Sequence, residues 1–280
     1  MNGRSLRHLI LTVRLDMAES IRTRWFLVYA LVFGIVMVLL LGSGLTESRV
    51  MGFTGLSRTL TTYIQLCMAI LPVFILITTV RSVAGDREAG IFEYLLSLPV
   101  ALSAWYWGKL AGRFVVVFVP VFLAMVMAVI WAVFLGLGVP WSELLFNTGL
   151  LISLAWCFLG IGMLISSIAR SPDVAQGAAF TIWLFCLLFL DLVLLGAMVR
   201  EQMPYEIVVM ISLLNPMQVF RTATMVVFDP QLVLLGPAAH VILDTFGRIG
   251  FLAYGLIYPL IFGTVSALAG FAVFRRGDLS

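Results

Sequence analysis

Residues 114–135 read FVVVFVPVFLAMVMAVIWAVFL, directly after Arg113 and without one charged side chain. As a helix rising 1.5 Å per residue, a run of this length spans about 33 Å, enough to cross a hydrocarbon core of about 30 Å. Backbone N–H and C=O groups inside hydrocarbon must pair within their own segment, so the run is predicted to be a membrane-spanning helix. Comparable runs lie at 25–41, 63–80, 144–168, 174–198 and 250–274. The expected fold is therefore an all-α polytopic membrane protein with six transmembrane helices.

Composition agrees with that reading. Of 280 residues, 62% are hydrophobic and only 11% charged, far from the mix that soluble domains carry. The net charge of +3 comes from basic residues at the flanks of apolar runs, so no nucleic-acid face is expected. Cys67, Cys157 and Cys186 all fall inside expected spans without CxxC spacing, which suggests neither a disulfide framework nor a zinc site.

Residues 1–24 carry Arg4, Arg7, Arg14, Arg22 and Arg24 among apolar residues. They read as an amphipathic interfacial helix on anionic membrane lipids. The run that follows is longer than a signal-peptide core and ends at no small-residue cleavage site, so it is taken as the first span. Twelve of the 17 Lys and Arg residues fall on the side holding the N-terminus, residues 81–113, Arg170 and the Arg275–Arg276 pair. The positive-inside rule then places both termini in the cytoplasm. Residues 25–280 form one six-span domain. Gly108 and Gly112, and Ser266 and Gly270, repeat at four-residue spacing that lets helices approach closely.

Two segments between spans are long enough to carry function. In the cytoplasmic loop 81–113, the stretch Asp86-Arg87-Glu88-Ala89-Gly90-Ile91-Phe92-Glu93-Tyr94-Leu95-Leu96 is predicted to be helical. Ile91, Phe92, Leu95 and Leu96 would share one face, and Asp86, Glu88 and Glu93 would sit near its start, where carboxylates favour the helix dipole. Pro99 ends it. The alternative is an ordinary solvated helix at the interface. The external loop 199–249 is semi-apolar and broken by Pro204, Pro216, Pro230 and Pro237, which predicts short helices at the outer surface before the last span.

Several chemistries are missing. The only lysine, Lys109, follows Gly108, but a phosphate-binding P-loop needs Gly five residues before Gly108 and Ser or Thr after Lys109, where Ser103 and Leu110 stand. Any ATP and Mg would be bound by a partner chain, and this chain is expected to need no cofactor of its own. Asp191 is the one ionisable side chain well inside an expected span, which argues against an intramembrane hydrolase and against an ion-coupled carrier. It could face a cavity, bond a neighbouring helix, or lie nearer the interface than the run suggests. Met203, Met210 and Met217 recur every seven residues, but sites seven apart lie about 10 Å apart along a helix, and Pro204 and Pro216 interrupt it. No metal site is expected.

The stretch from Asp86 to Gly90, with Glu93, Leu95-Leu96, Leu98-Pro99-Val100, Gly108-Lys109 and Gly112, resembles the signature of type-2 ABC exporter permeases. That resemblance implies that Asp86, Arg87, Glu88, Gly90, Phe92, Glu93 and Leu96 form a coupling helix that docks on a cytoplasmic ABC ATPase subunit, in a homodimer of permease chains. It also implies a bacterial or archaeal inner membrane. Gly52-Phe53-Thr54, Asp191-Leu192-Val193-Leu194-Leu195, Leu214-Asn215-Pro216 with Phe220-Arg221, and Phe274-Arg275-Arg276 are similar to one branch, the Nos-type transporter permeases. That branch implies a periplasmic accessory protein and a part in maturing the copper site of nitrous oxide reductase. For Asn215 and Arg221, a local turn or cap stands as the plainer account. Two other functions remain open at this point: a membrane anchor or assembly factor without an ATPase, and an exporter of an unrelated substrate.

Overall fold

The computed structural model describes residues 3–22, 24–42, 55–91, 101–189, 192, 196, 204–228 and 238–277. Among them the chain is helical, with no strand: α1 (Gly3–Arg22), α2 (Arg24–Gly42), α3 (Gly55–Thr79), α4 (Arg81–Glu88), α5 (Leu102–Phe134), α6 (Trp141–Ile168), α7 (Pro172–Leu184, running into a π-helical turn at Phe185–Phe189), α8 (Tyr205–Ser212), α9 (Pro216–Phe228) and α10 (Ala238–Gly277, broken at Gly247). Four helical stretches are long and apolar enough to cross a bilayer: Thr59–Glu88, Leu102–Phe134, Trp141–Ile168 and Asp244–Arg276. The number rises to six if the α1–α2 and α8–α9 pairs each count as one bent span. The apolar helix Pro172–Leu188 stands where the fifth span is expected.

The centre of the bundle is α6. It is apolar on all sides, as a helix surrounded by other helices must be, and it buries Leu150, Leu151, Leu154, Cys157, Phe158 and Leu159. Against it pack α3, α9 and, over the greatest length, α10. The α6–α10 contact is backbone to backbone. A Cβ at Gly263 would lie 2.6 Å from Cys157 Cα and 2.7 Å from the Trp156 carbonyl oxygen, and a Cβ at Gly160 would strike the Gly263 backbone. Close approach through small residues is how helices gain dispersion energy in lipid, where apolar burial by itself supplies no drive to associate. Ser153 donates to the Leu256 carbonyl at 2.6 Å, and Trp156 Nε1 to Thr264 Oγ1 at 3.0 Å, across the same seam.

Helix limits depart from the expected spans. The second span begins within α3, eight residues after that helix starts, and α5 starts at Leu102, twelve residues before the apolar run it contains. Hydropathy marks where hydrocarbon begins, whereas a helix continues as long as its backbone bonds are satisfied. Residues 102–113, expected as loop, are thus the first three turns of a 33-residue helix.

The start of the expected coupling helix is also corrected. Asp86 and Glu88 lie in the last turn of α4, not at a helix start, because Gly90 adopts φ +67° and turns the chain away. Its N–H donates to the Arg87 carbonyl at 3.1 Å and that of Ala89 to Gly85 at 2.9 Å, closing the helix end. Only glycine adopts that left-handed backbone without strain. Phe92, Glu93, Leu96 and Asp191 lie outside the described residues.

Candidate functional site

At the basic end of the bundle, α4 is held on α6 by reciprocal capping. The first N–H groups of a helix and its last carbonyls have no partner within it. Here Ser166 Oγ accepts from the Val83 and Ala84 N–H groups at 2.9 and 3.0 Å, while Arg87 donates to the Ala169 and Ser167 carbonyls at 3.2 and 3.4 Å. Each helix thus completes the other's end, and the Arg87 cation also meets the negative end of the α6 dipole.

Lys109 supplies the second tie. Its ammonium pairs with the Asp86 carboxylate, donates to the Ser82 carbonyl at 3.0 Å, and lies 4.7 Å from the centre of the Trp105 ring. Asp86, unfavourably placed at a helix C-terminus, is compensated by this cation. Trp105 stacks in turn on Phe274 at 5.4 Å, so the clamp rests on α10 as well. Lys109 was absent from the expected site residues. The available signal was its solitude: one lysine amid an otherwise apolar stretch needs a partner, since charge is rarely buried unpaired. Arg81 and Asp173 form a further pair at 3.3 Å, but both side chains are exposed, and such pairs contribute little.

One turn along α5 from Lys109, Arg113 reaches the other way. Its Nε donates to Asp16 Oδ1 on α1 at 3.2 Å, with Asp16 fully buried. The closeness follows from Gly108 and Gly112, the pair whose spacing predicted a near approach. A Cβ at Gly108 would lie 2.7 Å from Thr12 Cβ, and one at Gly112 would lie 2.9 Å from Asp16 Oδ2. The face of α1 that packs inward is therefore polar (Thr12, Asp16, Ser20), while Ile10, Leu11, Leu15 and Ile21 stay exposed with Arg7, Arg14 and Arg22. Burial pushes the Asp16 carboxyl above the usual carboxylate range, and Arg113 and Lys109 pull it back. Beside this seam opens a groove of about 390 Å³ lined by Leu11, Leu15, Ile91 and Trp105, with Asp86 and Lys109 on its wall. Ile91 is exposed, as are Glu88 and Gly90 just before it in sequence.

Asn215 lies apart from this site, in the turn between α8 and α9, which cross at 106°. Its Oδ1 accepts from Met217 N at 3.0 Å, capping α9 ahead of Pro216, and its Nδ2 donates to the Cys186 carbonyl at 2.5 Å. The cap reading thus holds, with an addition that sequence did not suggest. The Asn215 amide ties this turn to the π-helical segment that ends α7. Tyr254 and Tyr258 of α10 donate to the Leu213 and Leu214 carbonyls of the same turn. Asn215→Leu should lose both the cap and the Cys186 bond, costing about 2–4 kcal/mol. A thermal midpoint within one degree of wild type for the purified protein would contradict this. Arg221 is exposed on α9. Met210 is exposed on α8 and Met217 buried on α9, on either side of the bend, and Met203 lies outside the described residues. No group of three His, Cys, Asp or Glu side chains converges among the described residues.

Comparison with known proteins is consistent along almost the whole chain. Residues 11–279 match the family model described as ABC-2 family transporter protein. The chain is 26% identical over 279 residues to a "Probable ABC transporter permease protein NosY" of Stutzerimonas stutzeri, covering 94% of this chain and 96% of the relative. A protein of the same name from Pseudomonas aeruginosa is 26% identical over 222 residues, covering 77% of this chain and 81% of the relative.

Proposed function

As the chain belongs to the ABC-2 family of transporter proteins, we propose that it is the membrane-spanning, non-catalytic subunit of an ABC transporter whose ATPase is a separate cytoplasmic chain. The docking surface is the exposed edge formed by Glu88, Gly90 and Ile91, with Phe92, Glu93 and Leu96, next in sequence, as further expected contacts. The observation that carries this reading is the clamp behind that edge. The Lys109–Asp86 pair, the Ser166 cap on α4 and the Arg87 cap on α6 fasten α4 to α5 and α6, so force applied to the edge passes into two long helices instead of dissipating in a loop. ATP and Mg sit in the partner. A homodimer, both termini cytoplasmic and an inner-membrane setting complete the proposal.

The finer reading is a Nos-type role, in which the assembly acts with a periplasmic accessory protein in copper-enzyme maturation. It is supported by the names of the relatives and by the Leu214-Asn215-Pro216 turn, whose asparagine joins α9 to α7.

Phe92→Asp would place an unpaired charge against the partner's apolar contact, a cost of several kcal/mol where the charge is desolvated. Co-purification of the ATPase with tagged protein should fall at least tenfold, with expression retained because residue 92 lies outside the expected spans. Undiminished co-purification together with normal ATP-driven function would sink the docking proposal.

A further inference from the structure

The basic end of the bundle also holds a cavity of about 480 Å³ that the docking edge does not use. Its walls come from five helices: Glu19 of α1, Thr78 of α3, Ser82 and Asp86 of α4, Arg113 of α5 and Gln176 of α7. Its height in the bundle is set by sequence. Thr78 lies two residues before the end of the apolar run 63–80, and Arg113 immediately precedes that of α5, so the cavity lies at the boundary between hydrocarbon and water. The groove between α2 and α5, walled by Ala30, Gly34, Met127 and Trp131, is apolar by contrast.

Three cations border the cavity and each already holds a carboxylate: Arg81 with Asp173, Lys109 with Asp86, Arg113 with Asp16. What is left uncommitted decides the ligand. Arg113 bonds Asp16 through Nε alone, so its two Nη groups have no hydrogen bond among the described residues, and neither do the Glu19 carboxylate and the Gln176 carboxamide. The Arg113 side chain is only 16% exposed, and in a partly enclosed site its charged donors favour an anionic oxygen as partner. A simple anion would face Glu19 and Asp86, and a simple cation would face Arg113 and Arg81. A ligand with both signs a few bonds apart suits all of them.

We propose that this cavity binds a zwitterionic phosphoester of the phosphoethanolamine type. The phosphate takes the Arg113 Nη groups with Gln176, and the ammonium takes Glu19. The same chemistry is available from the headgroup of phosphatidylethanolamine and from free phosphoethanolamine. The cavity's place at the hydrocarbon boundary favours the lipid.

The test uses the full-length chain, delipidated in detergent and reconstituted into phosphatidylcholine nanodiscs containing equal small fractions of phosphatidylethanolamine and phosphatidylglycerol, with bound lipid read by native mass spectrometry. Wild type should retain phosphatidylethanolamine over phosphatidylglycerol about tenfold, the worth of one charge-assisted contact. Glu19→Gln should erase that preference without reducing phosphatidylglycerol binding. Arg113→Gln should lose both lipids, and Gln176→Ala, which leaves the Asp16 pair intact, should weaken both. Free phosphoethanolamine that raises the thermal midpoint, with no lipid enrichment, would assign the site to a soluble zwitterion. Equal retention of the two lipids with no effect of phosphoethanolamine, unchanged preference in Glu19→Gln, or equal stabilisation by inorganic phosphate would each overturn the proposal. ATPase co-purification is a separate readout, so failure here leaves the docking proposal standing and the reverse holds too.

Discussion

Gly263→Ala is expected to be among the most damaging methyl additions at the α6–α10 seam, where Gly160 and Gly263 bring two backbones together. Its Cβ would press on the Cys157 Cα at 2.6 Å and the Trp156 carbonyl at 2.7 Å. Both atoms belong to the backbone of the central helix, so no side-chain rotation relieves the clash. The helices must separate, and separation also stretches the Ser153 and Trp156 hydrogen bonds that cross the seam. Overpacking a well-filled core costs about 1–3 kcal/mol where side chains can adjust, and a rigid backbone contact lies above that range. The monodisperse fraction in fluorescence-detected size-exclusion chromatography should collapse. Gly177→Ala in α7, where a Cβ meets nothing within 4 Å, should behave as wild type. Equal yields for the two variants would show that the α6–α10 seam is looser than described.

Lys109→Met should have the second-largest effect, and a different one. Removing the ammonium leaves Asp86 only 20% exposed, without its counter-ion and at the unfavourable end of α4. Breaking a buried pair by deleting one partner costs about 3–5 kcal/mol, less here because Asp86 retains some contact with water. The bundle should still assemble, since the α6–α10 core does not involve this pair. The edge at Glu88 to Ile91 should lose its seating. Partner ATPase should therefore co-purify less tightly or, if it binds, turn over ATP without driving the transporter. The double variant Asp86→Lys with Lys109→Asp restores the pair with reversed sign and should recover part of the loss. A single variant with full coupled activity, or a double variant no better than the single, would remove the clamp from the mechanism.

The all-helical, membrane-spanning nature of the chain was legible in residues 114–135 and their counterparts. A run of uncharged residues that long has one stable conformation in hydrocarbon, whatever surrounds it. Motif order did the rest, since Asp86 to Gly90 ahead of Gly108-Lys109 marks the family without any coordinates. The Gly108–Gly112 spacing announced a close approach but not its partner, which proved to be the polar face of α1. For Asn215 the plainer account, a local turn or cap, is the one the structure shows, since its Oδ1 and the Met217 N–H it accepts from lie two residues apart.

What sequence could not supply is whatever depends on two segments meeting. Asp86 and Lys109 are 23 residues apart and Asp16 and Arg113 are 97 apart, and periodicity along one helix carries no information about which side chain of another will face it. The expected carboxylate start of the coupling helix failed for the same reason. Asp86 and Glu88 suit a helix N-terminus by local dipole rules, but the tertiary structure closes α4 there with Gly90 at φ +67° and compensates Asp86 with a lysine from α5. Gly160 and Gly263 look like unremarkable glycines in their own helices, and only the packed bundle turns them into the point where two backbones touch. Hydrocarbon imposes helix formation segment by segment, whereas partner choice among those helices rests on pairwise fit and paired charge, which exist only once the chain has folded.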